Sequence, residues 1–248
     1  RLFFDGQSVT GPIPFGYILD PNGVAVANFD LNVDEEFNPL PVSGLYTIVI
    51  AGNVGSTGLT TYDFVVRQLV EDLAPLTIGE TVNGGIANPG GRDIYSFTLA
   101  GPAQLIFDAL TDDSSLIWML RGPTGELEQA YWGDDAIGLN GKRLLDLGSG
   151  DYTLTVWRND GSTGPYSCRL LDAASGELLT PGTAKAGLLD PASEAHLYRF
   201  AGTAGDEFSL TIEPTGTGFN GYVRLIDPFG GVLVWSGIGA ISGPSLTK

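Results

Sequence analysis

The sequence contains little of what catalysis and covalent cross-linking require. Its 248 residues include one cysteine, one histidine and one methionine. A single cysteine, Cys168, excludes an intrachain disulfide, and its place in an alternating apolar run predicts a buried, unreactive thiol. The histidine, His196, belongs to no motif that supplies a nucleophile and an orienting acid. We therefore expect a protein that is not an enzyme.

Basic residues and long apolar runs are also scarce. Lysine and arginine together number 12 against 29 acidic residues, which gives a formal net charge of -17. A nucleic-acid partner is excluded because it requires a basic face, and no apolar stretch is long enough for membrane insertion. The acidic surplus has two interpretations, solubility or carboxylates that bind divalent cations.

Turn-forming residues and alternating apolar segments are abundant instead. The chain has 36 glycines and 15 prolines, and 43% of its residues are hydrophobic. Short alternating runs between Gly- and Pro-containing turns, without a stretch of helical periodicity, predict an all-β protein with many short strands.

The chain repeats itself. Tyr95 in "DIYSFTL" recurs as Tyr198 in "HLYRFAG" (198 − 95 = 103), and Gly-Ser-Thr-Gly recurs at 55–58 and 161–164 (161 − 55 = 106). These spacings predict repeats of about 105 residues. We assign 1–73 to the C-terminal part of repeat 1, 74–176 to a complete repeat 2, and 177–248 to the N-terminal part of repeat 3.

Alternation within the repeats identifies the predicted core. Residues on one face of each strand are apolar in every copy, which predicts tandem antiparallel β-sandwiches of jelly-roll type. The predicted core positions are Tyr95, Phe97, Leu99, Leu105, Phe107, Ala109, Tyr152, Leu154 and Val156, with Tyr46, Ile48 and Ile50 in repeat 1 and Tyr198, Phe200, Phe208, Leu210 and Ile212 in repeat 3.

The two end repeats are predicted to be partial, which leaves strand edges to be covered. A longer parent chain, strands from neighbouring molecules, or pairing of the two ends within one chain would each cover them. We expect a longer parent protein, because Arg1–Asp5 already resembles the middle of a strand.

Several motifs in this order resemble the bacterial pre-peptidase C-terminal domain. They are "NPGGRDIYSFTLAG", a Pro-x-Gly turn followed by leucine, Gly-x-Tyr-Thr, and Gly-x-Tyr before a closing strand. The resemblance covers repeat 2 and the corresponding parts of the others. It implies a β-sandwich module of secreted bacterial proteins, found beside peptidases, in tandem arrays of surface proteins, and as collagen-binding domains that in some cases bind calcium. It also implies an extracellular or cell-surface location.

One loop is a candidate cation site. Asp30, Asn32 and Asp34 have the D-x-N-x-D spacing of hard oxygen ligands that suit Ca²⁺, but the glycine and glutamate of an EF-hand are absent. The alternative interpretation is an acidic, solvated loop tip. Calcium is the one cofactor for which the sequence offers a candidate.

Some aromatic residues are predicted to face outward. Trp157 is out of phase with the core positions of "YTLTVW", and Ala51 occupies the equivalent position in repeat 1. Phe15, Tyr17 and Tyr222 share the face opposite the core. Such residues can form a ligand platform, a contact between successive repeats, or a face that a loop covers.

Two functions follow from these observations. The first is a non-catalytic structural or adhesive repeat segment of a larger secreted or cell-surface bacterial protein or filament, whose partners are neighbouring repeats or copies of itself. The alternative is an accessory module of a secreted peptidase that binds a collagen-like protein or a polysaccharide.

Overall fold

The computed structural model describes residues 1–37, 40–69, 71–133, 144–213 and 221–238. Within these ranges the chain is all-β, as predicted, and its regular elements are strands apart from one 3₁₀ turn at Ala173–Ser175. The strands are β1 (Leu2–Thr10), β2 (Phe15–Leu19), β3 (Ala25–Asp30), β4 (Glu35–Phe37), β5 (Thr47–Ala51), β6 (Thr61–Gln68), β7 (Glu71–Pro75), β8 (Val82–Ile86), β9 (Arg92–Leu99), β10 (Ala103–Ala109), β11 (Leu116–Gly122), β12 (Gly125–Tyr131), β13 (Leu145–Leu147), β14 (Gly150–Arg158), β15 (Gly164–Asp172), β16 (Glu177–Leu178), β17 (Tyr198–Arg199), β18 (Gly221–Ile226) and β19 (Val232–Ile238).

The chain divides into two compact units. The first comprises Arg1–Leu73, Gly85–Ile94 and Thr155–Pro165, and the second comprises Ala74–Gly84, Tyr95–Leu154 and Tyr166–Lys248. The first unit therefore joins all of repeat 1 to two short segments of repeat 2. The predicted repeat boundaries follow the sequence period and stay a prediction.

Repeat 2 contains two sheets. One has the strand order β13-β10-β15-β8, and the other has the order β12-β11-β14-β9-β7. Pairing is antiparallel where β10 meets β13 and β15, and where β11 meets β12. The predicted core positions of this repeat are all buried, with Leu105, Phe107, Leu154 and Val156 fully enclosed. The sequence prediction of the repeat 2 core is confirmed.

Repeat 1 has the same strand order with fewer strands. Its sheets are β4-β1-β6 and β3-β2-β5, both antiparallel. They match β13-β10-β15 and β12-β11-β14, so among the described residues β7, β8 and β9 have no counterpart in the sheets of repeat 1. Its core is a cluster of buried residues consisting of Phe4, Ile18, Phe29, Leu31 and Phe37, against which Tyr46, Ile48 and Ile50 pack half-buried.

The Gly-x-Tyr-Thr motif has the same local structure in both copies. Gly44 and Gly150 have φ of 151° and 148°. A Cβ on Gly44 would lie 2.5 Å from the ring of Pro21 in the β2–β3 turn, and a Cβ on Gly150 would lie 2.5 Å from the ring of Pro123 in the β11–β12 turn. Glycine is required there because a side chain fits neither the backbone conformation nor the space. The Tyr46 hydroxyl donates to the Val42 carbonyl at 2.6 Å, and Tyr152 donates to the Gly148 carbonyl at 2.9 Å. The motif therefore fixes the entry to β5 and β14.

Repeat 3 departs from its prediction. Tyr198 and Leu210 are 40% and 38% exposed, Phe200, Phe208 and Ile212 are half-buried, and residues 204–213 contain no strand. The predicted core of this repeat is therefore wrong. In repeat 2 the equivalent side chains are covered by β14 and β15, and the described residues of repeat 3 include no counterpart of either strand.

Candidate functional site at the junctions between repeats

Strand β1 is covered on both of its faces. Phe4 points into the repeat 1 core and is fully buried. Phe3 points the other way, as alternation requires, yet it is only 7% exposed. A Cβ on Gly90 would overlap the Phe3 ring, and a Cβ on Gly161 would lie 3.6 Å from its Cζ. Two loops of repeat 2 therefore cover a side chain of repeat 1.

Glycine is needed at both covering positions. Gly90 has φ of 73° and Gly161 has φ of 68°, a backbone region that disfavours other residues. A Cβ on Gly161 would also overlap the carboxylate of Asp34, whose Oδ1 accepts a hydrogen bond from the Gly6 amide at 3.0 Å. The Gly-Ser-Thr-Gly loop of repeat 2 thus lies against the loop of repeat 1 that precedes β4.

Trp157 belongs to the same contact. It is half-buried, and the Arg92 guanidinium lies 5.1 Å from the centroid of its ring, which is within the range of a cation–π contact. Arg92 also forms an ion pair with Glu36 of repeat 1, and Glu36 binds Arg1 at 3.0 Å. We call this set, Phe3, Asp34, Glu36, Gly90, Arg92, Trp157 and Gly161, the first junction.

Repeats 2 and 3 meet in a second junction on strand β10. Asp108 is fully buried, and its Oδ2 accepts from Arg169 Nε at 2.7 Å. Its Oδ1 accepts from the Ala195 amide at 3.1 Å. Arg169 Nη2 donates to Glu194 Oε1 and to the Ala195 carbonyl, both at 3.0 Å. The second junction, Asp108, Arg169, Glu194 and Ala195, is polar and fully paired.

The charges of the second junction depend on one another. Burial raises the pKa of Asp108 above its ordinary value, and the hydrogen bond and charge of Arg169 oppose that rise. The Asp190 amide, followed by Arg169, lowers the pKa of Glu194. A buried carboxylate of this kind persists only with a charged partner, so Arg169 holds the aspartate and the downstream loop together.

The two junctions bring together an equivalent strand and an equivalent loop, through different side chains. Asp108 is the counterpart of Asp5 (108 − 5 = 103), and Ala195 is the counterpart of Arg92 (195 − 92 = 103). Asp5 is also buried and pairs with Arg67 at 2.8 Å. In both cases the loop before the Tyr-x-Phe segment of one repeat lies on the Asp-containing strand of the repeat before it.

The remaining predicted surface residues lie apart from the junctions. Phe15 and Tyr17 are 45% and 38% exposed on β2. Tyr222 on β18 is 48% exposed, and its ring stacks on Trp235 of β19 at 5.0 Å between centroids and 13° between planes. Of the four predicted surface residues, Trp157 lies under Arg92 of its own repeat, and Arg92 in turn pairs with Glu36 of repeat 1. A role of Trp157 as a ligand platform or a contact between repeats stays a prediction.

The predicted cation loop has partners within the protein. Asp30 ends β3 and is exposed, and Asp34 is engaged by Gly6 and faces Gly161. In the described ranges no three His, Cys, Asp or Glu side chains are grouped closely enough to hold a metal ion. Calcium binding by Asp30, Asn32 and Asp34 stays a prediction.

The single cysteine and the single histidine do not form a catalytic pair with a neighbouring residue. Cys168 is fully buried in β15, and burial raises its pKa to about 12. His196 Nε2 lies 3.4 Å from Glu194 Oε1, and its ring meets the Tyr198 ring edge-on. Neither arrangement pairs a nucleophile with a base.

Comparison with known proteins finds similarity at the level of solved structures. No family model and no curated protein matches the chain. The pre-peptidase C-terminal domain of collagenase from Bacillus anthracis is similar at 18% identity, with a TM-score of 0.31, over 42% of this chain and 97% of that domain. PliG from Aeromonas hydrophila, a periplasmic inhibitor of g-type lysozyme, is similar at 14% identity, with a TM-score of 0.30, over 42% of this chain and 97% of its own. The family that the sequence resembles is therefore present among the similar structures. Among the described residues no helix has the length and apolarity to cross a membrane.

Sequence reasoning missed Phe3, Gly90 and the Asp108–Arg169 pair. A signal for the covered faces was present, because Leu2-Phe3-Phe4 and Leu105-Ile106-Phe107 are apolar at consecutive positions, and all but the half-buried Leu2 are buried. Consecutive apolar residues in a strand indicate cover on both faces. The triplets mark the strands on which the next repeat lies.

Proposed function

We propose that this chain is a non-catalytic structural segment of an extracellular or cell-surface bacterial protein, in which tandem β-sandwiches form a continuous array. The observation that carries this proposal is the equivalence of the two junctions. A downstream loop lies on the upstream Asp-containing strand at both, one period apart.

The buried contacts at the junctions support a rigid connection between neighbouring repeats. Phe3 is buried by glycine loops, and Asp108 is buried by Arg169 and the Ala195 amide. A flexible linker would leave these groups in water, where neither contact would stabilise one repeat against the next. Burial of apolar surface and of a paired charge fixes neighbouring repeats to each other.

Hydrogen exchange of the full chain tests this function. Phe3→Ala removes the buried ring, and Phe15→Ala removes a ring that is 45% exposed. We expect Phe3→Ala to accelerate amide exchange in 88–94 and 157–164, because the loops lose the side chain that holds them. Phe15→Ala should leave both segments protected. Equal protection in the two variants would refute a structural role for the first junction.

A ligand-binding accessory module is the second candidate, and the Tyr222–Trp235 stack favours it. Two nearly parallel, stacked aromatic rings, both nearly half exposed, form an apolar surface on one hairpin. Such surfaces bind sugars or extended peptides. The matching hairpins have Ile117 and Ala130 in repeat 2, and Phe15 and Asn28 in repeat 1, so neither has the pair of aromatic residues.

Binding measurements separate the two candidates. The full chain is titrated with soluble collagen peptides and with polysaccharides, alongside Trp235→Ala and the control Phe229→Ala, whose ring is 82% exposed and outside the stack. Binding that Trp235→Ala abolishes and Phe229→Ala preserves supports the accessory module. If the unmodified chain binds neither collagen peptides nor polysaccharides, the accessory-module function is refuted.

A further inference from the structure

One pair of side chains distinguishes the first junction from the second. Arg92 of repeat 2 forms an ion pair with Glu36 of repeat 1, and Glu36 lies opposite Phe3 in the ladder of β1 and β4. Ala195 is the counterpart of Arg92 in repeat 3 (195 − 92 = 103). The downstream loop therefore carries a cation at this position in one junction and a small apolar residue in the other.

The upstream strands differ in the matching way. Leu105 pairs with Leu145 in the ladder of β10 and β13. The next step of this antiparallel ladder places Leu144 opposite Ile106. Ile106 is the counterpart of Phe3 (106 − 3 = 103), and Leu144 is 6% exposed. Repeat 2 thus has a buried leucine where repeat 1 has the acidic residue that pairs with the downstream loop.

The surroundings of Arg92 make its charge depend on that acidic residue. The Arg92 side chain is 19% exposed, and its Nε is buried without a hydrogen-bond partner among the described residues. A charge in such a place is stable only when an opposite charge accompanies it. Glu36 supplies that charge and also binds Arg1 at 3.0 Å. The first junction therefore requires both members of the Glu36–Arg92 pair.

Trp157 supplies the other side of these surroundings. The Arg92 guanidinium lies over its ring, 5.1 Å from the centroid. A planar guanidinium stacks on an aromatic face without using its N–H groups, so the indole covers the part of Arg92 that has no hydrogen bond. Trp157 lies near the end of β14 and Arg92 begins the neighbouring β9. Ala51, the counterpart of Trp157 in repeat 1 (157 − 51 = 106), has no ring to offer a cation.

We propose that Arg92, positioned by Trp157, makes the opening loop of repeat 2 selective for an upstream repeat that has an acidic residue at the position of Glu36. An upstream repeat with leucine there, as repeat 2 itself has, leaves the guanidinium largely buried without its counter-charge. Repeat 2 is thus suited to follow repeat 1 and not to follow a copy of itself. The inference rests on the proposed array and names the side chains that set the order of its repeats.

Hydrogen exchange of the full chain tests the selectivity, measured at the amides of 88–94 other than that of residue 92. Glu36→Leu gives repeat 1 the residue of repeat 2 and should accelerate exchange in this loop by about tenfold, because Arg92 keeps its charge and loses its partner. Adding Arg92→Ala gives the complete residue pair of the second junction. This double variant should exchange more slowly than Glu36→Leu alone, because no unpaired charge remains.

A second set of variants tests the positioning role of Trp157. Trp157→Ala should accelerate exchange in the same loop when Arg92 is present. In the Arg92→Ala background it should have little effect, because the ring then has no guanidinium to support. Trp157→Phe keeps an aromatic face and should keep most of the protection.

The exposed Arg121–Glu126 pair on the hairpin of β11 and β12 supplies the matched control. Its charged atoms are 3.7 Å apart, and both side chains are about half exposed. Glu126→Leu removes a carboxylate from an ion pair outside the junction and should leave exchange in 88–94 unchanged. If urea unfolding shows that Glu36→Leu does not fold, Glu36→Gln replaces it, since it removes the charge and keeps the size of the side chain.

Two results overturn the selectivity: exchange of the Glu36 variant at the unmodified rate, or a double variant that exchanges no more slowly than the Glu36 variant. An equal effect of Trp157→Ala with and without Arg92 overturns its positioning role. The Phe3→Ala comparison tests the array through the buried ring and leaves the ion pair unchanged. A failure of the selectivity is therefore distinguishable from a failure of the proposed array.

Discussion

Replacing Gly90 by alanine measures how tightly the first junction is packed. Gly90 has φ of 73°, and its added Cβ would overlap the Phe3 ring and approach Leu69 Cδ2 at 2.8 Å. The backbone conformation alone costs about 1–2 kcal/mol for a residue with a side chain. Overpacking adds about 1–3 kcal/mol. The free energy of unfolding should therefore fall by about 2–5 kcal/mol.

Gly79→Ala supplies the control for the backbone contribution. Gly79 has φ of 89°, close to that of Gly90, but nothing lies within 4 Å of its added Cβ. It should lose only about 1–2 kcal/mol. Urea unfolding of both variants, with Phe3→Ala added to Gly90→Ala, gives the comparison, and the smaller side chain should recover part of the loss. Equal destabilisation by the two glycine variants would refute the packing of Gly90 on Phe3.

Three further changes have defined outcomes. Gly150→Ala should lower the free energy of unfolding by about 1–3 kcal/mol, because the added Cβ overlaps the Pro123 ring. The control Gly101→Ala should lower it little, because the space at its Cβ is open. Urea unfolding of the two variants makes the comparison. Cys168 should not react with a thiol reagent in the folded protein at mildly alkaline pH, because its pKa is raised to about 12; reaction before unfolding would contradict its burial. If the 30–34 loop binds calcium, millimolar calcium should raise the melting temperature and Asp30→Asn should abolish the rise, and an unchanged melting temperature removes the site.

The fold of repeat 2 could be predicted because apolar and polar residues alternate regularly along its strands. Tyr95, Phe97 and Leu99 occupy one face of β9, and each is buried as predicted. In a complete sandwich each sheet covers the apolar face of the other, so the residues that alternation predicts to be buried are buried.

Repeat 3 shows where that reasoning fails. Phe208, Leu210 and Ile212 alternate as well as Leu105, Phe107 and Ala109 do, yet 204–213 contains no strand. Alternation predicts which face of a strand is apolar. Burial of that face also requires a second sheet packed against it, which alternation within one segment does not predict.

The junctions were predicted only in part. The outward direction of Trp157 follows from its phase, but its partner Arg92 lies on a different strand, and no pattern within "YTLTVW" points to it. Phe3 was detectable from its apolar neighbours on both sides, whereas the contact with Gly90 depends on how one repeat follows another. Periodicity predicts what a repeat contains and leaves open how it meets the next one.

The asymmetry of the junctions determines how such a chain can lengthen. Each contact joins an upstream strand, β1 or β10, to a downstream loop, through Gly90 against Phe3 in one case and the Ala195 amide to Asp108 in the other. A complete repeat carries both parts, one for each neighbour. Duplication of one whole period within the gene therefore preserves every junction, whereas duplication of half a period leaves a strand without its loop. Growth of the proposed array by genetic duplication would thus be restricted to whole repeats in one orientation.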